Sequence, residues 1–109
     1  MKKTLFSLLL VLLVSCGVSD DRIDAYEDCI PAVEKAGSSK ELLGITYELS
    51  KQLQVLEVYN TPVAELEKLA AAGDEDARER YEAIEAARKI FMDAVSKKEA
   101  CFYVNDKQK

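Results

Sequence analysis

The 109-residue chain contains no histidine and no tryptophan, and it has only two prolines and four glycines. The lack of histidine excludes a Ser-His-Asp triad, a Cys-His nucleophile and a histidine-ligated metal site. Positive charge is also scarce, since 15 Lys and Arg stand against 20 Asp and Glu and the net charge is −5. An acidic chain lacks the basic patch with which proteins bind nucleic acid. We therefore expect no nucleic-acid partner and, because no catalytic motif such as G-x-S-x-G is present, no enzyme.

The N-terminus has the features of an export signal. Lys2 and Lys3 form a positive segment, and residues 5–14 form an almost uninterrupted apolar run. This run is too short to span a hydrocarbon core, which needs about 20 helical residues. An ordinary signal peptide ends in small residues before its cleavage site, whereas this one ends in LVSC at residues 13–16.

LVSC resembles the lipobox of bacterial lipoproteins, in which an aliphatic residue, a small or aliphatic one and a small one precede an obligatory cysteine. The resemblance covers residues 1–19 only. It implies that residues 1–15 are removed as a signal peptide and that Cys16 carries a diacylglycerol and an N-acyl lipid, with no other cofactor. Such a protein is held in a bacterial envelope membrane, because several acyl chains together anchor it durably. Gly17 in place of aspartate favours the outer membrane, facing the periplasm.

Two cysteines remain after lipidation of Cys16, namely Cys29 and Cys101. A pair of thiols in an oxidising compartment is typical of a disulfide, which here would contribute about 4 kcal/mol in the chain-entropy model. The alternatives are a reactive thiol or a metal site, but a metal site needs more cysteine or histidine ligands at short spacing. We therefore expect a Cys29–Cys101 disulfide and no metal.

The rest of the chain predicts helices and no strands, because Ala, Glu, Lys, Leu and Arg dominate and apolar residues recur at helical spacing. Pro31 should kink or restart the first helix, and a capping box of Ser38 and Glu41 should open the second. The expected fold is all-α, a small up-down-up three-helix bundle with a short extra helix and one disulfide. The expected helices cover about residues 20–36, 39–60, 62–72 and 75–103. The expected organisation is a signal peptide (1–15), a lipidated cysteine and tether (16–19), a helical domain (20–104) and a polar tail (105–109).

The second helix is apolar over more than half of its circumference. One stripe, led by Leu49 and Leu53, suits a core, and a second stripe consists of Leu43, Tyr47 and Val58. A surface helix needs only one apolar arc, so another helix covers the second stripe or a partner binds it. We expect any partner contact near the membrane end of the bundle. The candidate interaction residues are Leu43, Tyr47, Val58, Tyr59 and Val63.

Together these features predict a lipid-anchored helical domain that acts through protein–protein interaction as an adaptor, an assembly factor or an inhibitor. The tether of residues 17–19 spans about 10 Å at most, so the partner should be an envelope protein in or beside the membrane. One alternative is a small-ligand binder with a pocket between helices. Another is an immunity or exclusion lipoprotein, which would differ only in its partner.

Overall fold

The computed structural model describes residues 18–108, so the expected signal peptide and the lipidated Cys16 lie outside the described residues. Within this range the chain forms four α-helices and no strand, which confirms the all-α prediction. The helices are α1 (Asp21–Lys35), α2 (Ser39–Tyr59), α3 (Val63–Ala71) and α4 (Glu75–Gln108).

Local hydrogen bonds explain where two of these helices begin. At the start of α2, the Ser38 hydroxyl accepts from the Glu41 amide at 3.2 Å, and the Glu41 carboxylate accepts from the Gly37 amide at 2.9 Å. At the start of α4, the Asp74 carboxylate accepts from the Ala77 amide at 3.1 Å. Each bond satisfies a backbone donor that has no partner within the helix.

A tight turn at Gly73 separates α3 from α4. The backbone of Gly73 has a φ of +102°, in the region that favours glycine. The amide of Asp74 donates to the Leu69 carbonyl at 3.0 Å and that of Gly73 donates to the Ala70 carbonyl at 3.1 Å, as in a Schellman motif.

Two helices are more continuous than the sequence indicated. The α1 helix runs through Pro31 to Lys35 without ending, and Pro31 lies on its exposed side. The α4 helix runs to Gln108, through most of the segment expected to be a polar tail. No glycine or proline follows Gly73 in the sequence, so nothing in the chain breaks α4 earlier.

The α1 helix holds the domain together, because it packs along both α4 and α2, while α3 packs on α4. One core cluster joins α1, α2 and α4, and a second joins α1, α3 and α4. The α2 helix contacts α4 at only a few points, so its main support comes from α1 on one side. The buried apolar residues of α2 are accordingly few, namely Leu42 and Leu49.

The α1 and α4 helices run in the same direction. The rings of Tyr26 and Phe91 lie 5.8 Å apart, and further along both helices the Lys98 ammonium donates to the Glu34 carbonyl at 2.7 Å. Side chains of α1 therefore lie level with side chains about 65 residues later in the sequence, by the helical rise of 1.5 Å per residue.

This register explains why the expected disulfide is not formed, and Cys29 and Cys101 are free thiols. With Tyr26 and Phe91 level, Cys101 lies about 10 Å further along the helix axes than Cys29 does. A disulfide requires a Cα separation of roughly 4.4–6.8 Å. In addition, Cys29 packs against the core and Cys101 is exposed.

Candidate functional site

The outer face of α2 carries two exposed apolar patches. Leu43 and Tyr47 form the distal patch, and their side chains are 70% and 62% exposed. Val55, Val58 and Tyr59 form the proximal patch, in which Val58 is 79% and Tyr59 81% exposed. The two tyrosines lie about 18 Å apart along the helix axis at 1.5 Å per residue. The second stripe expected from the sequence is therefore exposed on the described chain.

A polar interval separates the two patches. Ser50, Lys51 and Gln54 are exposed on the same side of α2. The Lys51 ammonium lies 5.3 Å from the centre of the Tyr47 ring, within cation–π range. The stripe is therefore two separate surfaces, which can have different partners.

An open groove of about 730 Å³ runs between α1 and α2 beside the distal patch. Its surface is mostly apolar, and the lining residues are Cys29, Ala32, Ala36, Gly44, Ile45 and Tyr47 together with the charged Lys35, Glu41 and Glu48. A Cβ atom added at Gly44 would meet no atom within 4 Å. The helix backbone is therefore accessible at Gly44, and the groove can admit an apolar side chain next to the Tyr47 ring.

The Cys29 thiol in this groove is not an activated nucleophile. Burial, and to a smaller extent the charge of Asp28, raises the pKa of Cys29 above its ordinary value of 9.0. Reactive cysteines have a lowered pKa, because the thiolate is the nucleophilic form. Cys29 therefore contributes apolar surface to the groove.

A buried ion cluster lies at the opposite end of the α1–α2 pair, where the sequence pattern did not predict one. The Arg22 side chain is 1% exposed. Its Nε donates to Asp20 Oδ1 at 2.9 Å and its Nη2 donates to Asp20 Oδ2 at 2.8 Å, while Nη1 donates to the Glu57 carboxylate. Arg80 on α4 lies 4.0 Å from the same aspartate. The cluster therefore connects the start of α1 with the end of α2 and with α4.

The same glutamate also caps α3. The residue before this helix is Pro62, whose side chain makes no capping hydrogen bond. Instead the amide of Val63 donates to both carboxylate oxygens of Glu57, at 3.2 and 3.3 Å. Glu57 thus fixes the corner between α2 and α3 in place.

The two central members of the cluster are held in their charged forms. Burial alone would raise the pKa of Asp20, but its hydrogen bonds with Arg22 and the positive charges of Arg22 and Arg80 outweigh it and lower that pKa below its ordinary value of 3.8. The hydrogen bonds with Asp20 outweigh the effect of burial on Arg22 and raise its pKa. This arrangement is typical of a structural ion pair, in which each charge compensates the burial of the other.

Glu27 on α1 lacks such compensation. One of its carboxylate oxygens is buried and has no hydrogen-bond partner. Burial first, and then the charges of Asp24 and Asp28, raise the pKa of Glu27 above its ordinary value of 4.5. Its charged form is therefore disfavoured in the folded chain.

The candidate residues from the sequence differ in their surroundings. Leu43, Tyr47, Val58 and Tyr59 are exposed, and Cys16 lies outside the described residues. Val63 is half-buried against the second core cluster, and its amide is bonded to Glu57. It therefore supports the corner between α2 and α3 rather than offering a free side chain.

Across residues 18–108, no helix is both long and apolar enough to cross a bilayer. The same part of the chain contains no group of three side chains able to hold a metal ion. No protein-family model, curated protein or solved structure matches the chain.

Proposed function

We propose that the protein is a lipid-anchored component of the bacterial envelope, in the outer membrane and facing the periplasm, and that it binds another envelope protein. It would act as an adaptor, an assembly factor or an inhibitor rather than as an enzyme. The observation that carries the proposal is the exposure of Leu43 and Tyr47 beside an open apolar groove. Tyrosines beside apolar pockets are frequent anchors of protein interfaces.

The anchor supports a partner close to the membrane. Val18 already packs against the second core cluster, so only Gly17 separates the folded domain from Cys16. Two residues span about 7 Å at most. A lipid on Cys16 would hold the domain against the membrane surface, where an anchored partner is met at a raised effective concentration.

The distal patch can be tested with a variant that blocks binding without damaging the fold. Gly44→Lys adds a side chain where a Cβ meets no neighbour, and it removes a mid-helix glycine that disfavours the helix by about 1 kcal/mol. Its matched control is Ala71→Lys at the exposed end of α3. A photo-crosslinking residue at position 47 in living cells reports the partner.

We expect one specific crosslinked protein, lost in Gly44→Lys and kept in Ala71→Lys. Gly44→Lys should melt at or above the temperature of the unmodified protein, and Ala71→Lys close to it. A crosslink that survives Gly44→Lys would show that the partner does not use the groove. Absence of any specific crosslink from position 47 would contradict the proposed function.

The groove also favours a second candidate, the binding of a small apolar molecule. Its volume of about 730 Å³ lies in the range of ligand pockets, which is roughly 300–1,000 Å³, although such pockets are usually more enclosed. In that case an apolar compound would saturably protect Cys29 from alkylation. An immunity or exclusion lipoprotein would instead use the same patch against a different protein.

A further inference from the structure

The proximal patch lies on the part of the domain from which the tether emerges. The first described residue, Val18, packs against the same core cluster as Val63, just after the corner between α2 and α3. Glu57 binds both Arg22, at the start of α1, and the Val63 amide. These contacts hold the start of α1 and the α2–α3 corner together.

The length of chain before this point limits what can cover the patch. Cys16 is two residues from Val18, a span of about 7 Å at most. If Cys16 is lipidated, as the proposed function requires, its acyl chains enter the bilayer within that distance of the domain. Val58 and Tyr59, the most exposed apolar side chains of α2, lie on this part of the domain and are available to contact the headgroups.

We propose that the proximal patch contacts the interfacial region of the bilayer itself, and that this contact orients the domain. A tyrosine suits this position, because its ring is apolar and its hydroxyl can remain hydrated. A few exposed apolar side chains bind lipid only weakly alone, but a covalent anchor supplies the main attraction and the patch adds a second one.

The charged side chains near the proximal patch determine which lipid headgroups favour the contact. Asp21 and Asp24 are exposed at the start of α1, and Glu65 is exposed in the first turn of α3. Arg22 is buried in its ion cluster, and Arg80, although 43% exposed, is paired with the Asp20 carboxylate at 4.0 Å, so neither is a free cation for lipid phosphates. The contact is therefore with a neutral, zwitterionic surface, and anionic lipid weakens it.

Membrane contact at the proximal patch has a consequence for the distal one. With Tyr59 at the headgroups, Tyr47 lies up to about 18 Å further from the bilayer along α2. The proposed orientation directs α2 away from the bilayer, so the distal patch remains in the aqueous phase, where a protein partner can reach it.

The absence of tryptophan from the chain allows a direct test. The mature lipidated protein is purified as Tyr59→Trp or, as its control, as Tyr47→Trp. Both replace an exposed tyrosine of the same helix, and a melt checks that each variant folds. Each is reconstituted into phosphatidylcholine vesicles whose acyl chains are brominated, since bromine quenches tryptophan only at short range.

We expect the emission of Tyr59→Trp to shift to the blue and to be quenched several-fold more strongly than that of Tyr47→Trp. Replacing half of the lipid with phosphatidylglycerol whose acyl chains are equally brominated should reduce this quenching. Stronger quenching by anionic lipid would overturn the assignment to a neutral surface. Equal quenching of the two variants, or none, would overturn the orientation.

The result also separates this inference from the proposed function. If the emission of the lipidated Tyr59→Trp variant is unquenched in vesicles, yet a photo-crosslinking residue at position 59 captures a protein in living cells, a protein covers the patch and lipid does not. Lack of labelled fatty acid on Cys16 would remove the anchor, and with it both proposals. A crosslink at position 47 without quenching at position 59 would overturn only the lipid contact.

Discussion

Replacement of Arg22 by methionine tests whether the buried ion cluster holds the domain together. Methionine keeps much of the length and volume of the side chain, so the variant removes charge and hydrogen bonds without opening a large cavity. It leaves the Asp20 carboxylate, whose side chain is 2% exposed, with Arg80 as its remaining cation at 4.0 Å. Glu57, at 38% exposed, can recover hydration more easily.

The expected loss is large for a domain of this size. Breaking a buried pair by removing one partner typically costs about 3–5 kcal/mol, because an uncompensated charge remains in the interior. Small domains have total stabilities of about 5–15 kcal/mol. The double variant Asp20→Asn/Arg22→Met should recover most of the loss, because asparagine keeps the cap on the Arg22 amide and leaves no buried charge.

The pH dependence gives an independent check of the cluster. In the unmodified protein the pKa of Asp20 is lowered by folding, so its stabilisation is complete above the unfolded pKa and is lost as the pH falls through the lower folded pKa. Without Arg22 the burial of Asp20 is no longer outweighed, and protonation should relieve the strain. Arg22→Met should therefore gain stability relative to the unmodified protein as the pH falls.

Urea unfolding followed by circular dichroism between neutral and acidic pH measures both effects. The reasoning would be refuted by a single variant as stable as the unmodified protein at neutral pH. It would also be refuted by a double variant no more stable than the single one.

Three further predictions concern α2, the thiols and the unpaired carboxylate. Leu49→Ala should lower the free energy of unfolding by about 2–5 kcal/mol, because Leu49 is 3% exposed, whereas Tyr47→Ala should change it by no more than about 0.5 kcal/mol. Thermal melts that show equal losses would mean that the distal patch is covered. Without reductant, Cys101 should be alkylated rapidly because it is exposed, and Cys29 slowly because burial raises the pKa of its thiol. Alkylation of both cysteines only after reduction would indicate a disulfide. Glu27→Gln should raise the melting temperature at neutral pH, and the gain should shrink as the pH falls through the raised pKa of Glu27. A gain that does not change with pH would show that the charge of Glu27 does not destabilise the fold.

The helices were predictable because their signals are local. Ser38 and Asp74 cap the helices that follow them, and Gly73 provides the turn between α3 and α4. The expected restart at Pro31 is wrong, since a proline one turn from the end of a helix removes a hydrogen bond without forcing the helix to stop. The separation of Cys29 and Cys101 was not predictable, because the stagger between α1 and α4 depends on tertiary packing.

The spacing of apolar residues in α2 predicted part of the candidate site. The repeat of its apolar residues identified a second stripe, and Leu43, Tyr47 and Val58 are indeed exposed. Periodicity alone did not show that the stripe is two patches. It also could not tell that α2 contacts α4 at only a few points, because that depends on how the whole chain packs.

The position of Arg22 in the sequence indicates a buried charge, but only the fold shows which residues pair with it. Arg22 lies four residues before Tyr26 and eleven before Val33, so it continues the inward-facing stripe of α1 towards the start of the helix. A charge at such a position is expected to reach solvent or to find a partner. Its partners are Asp20, two residues away, and Glu57, 35 residues away across the helix pair. Because Glu57 also bonds the amide after Pro62, this charge cluster, together with the packing of Val63 on the second core cluster, sets the corner that carries Val58 and Tyr59 beside the start of α1.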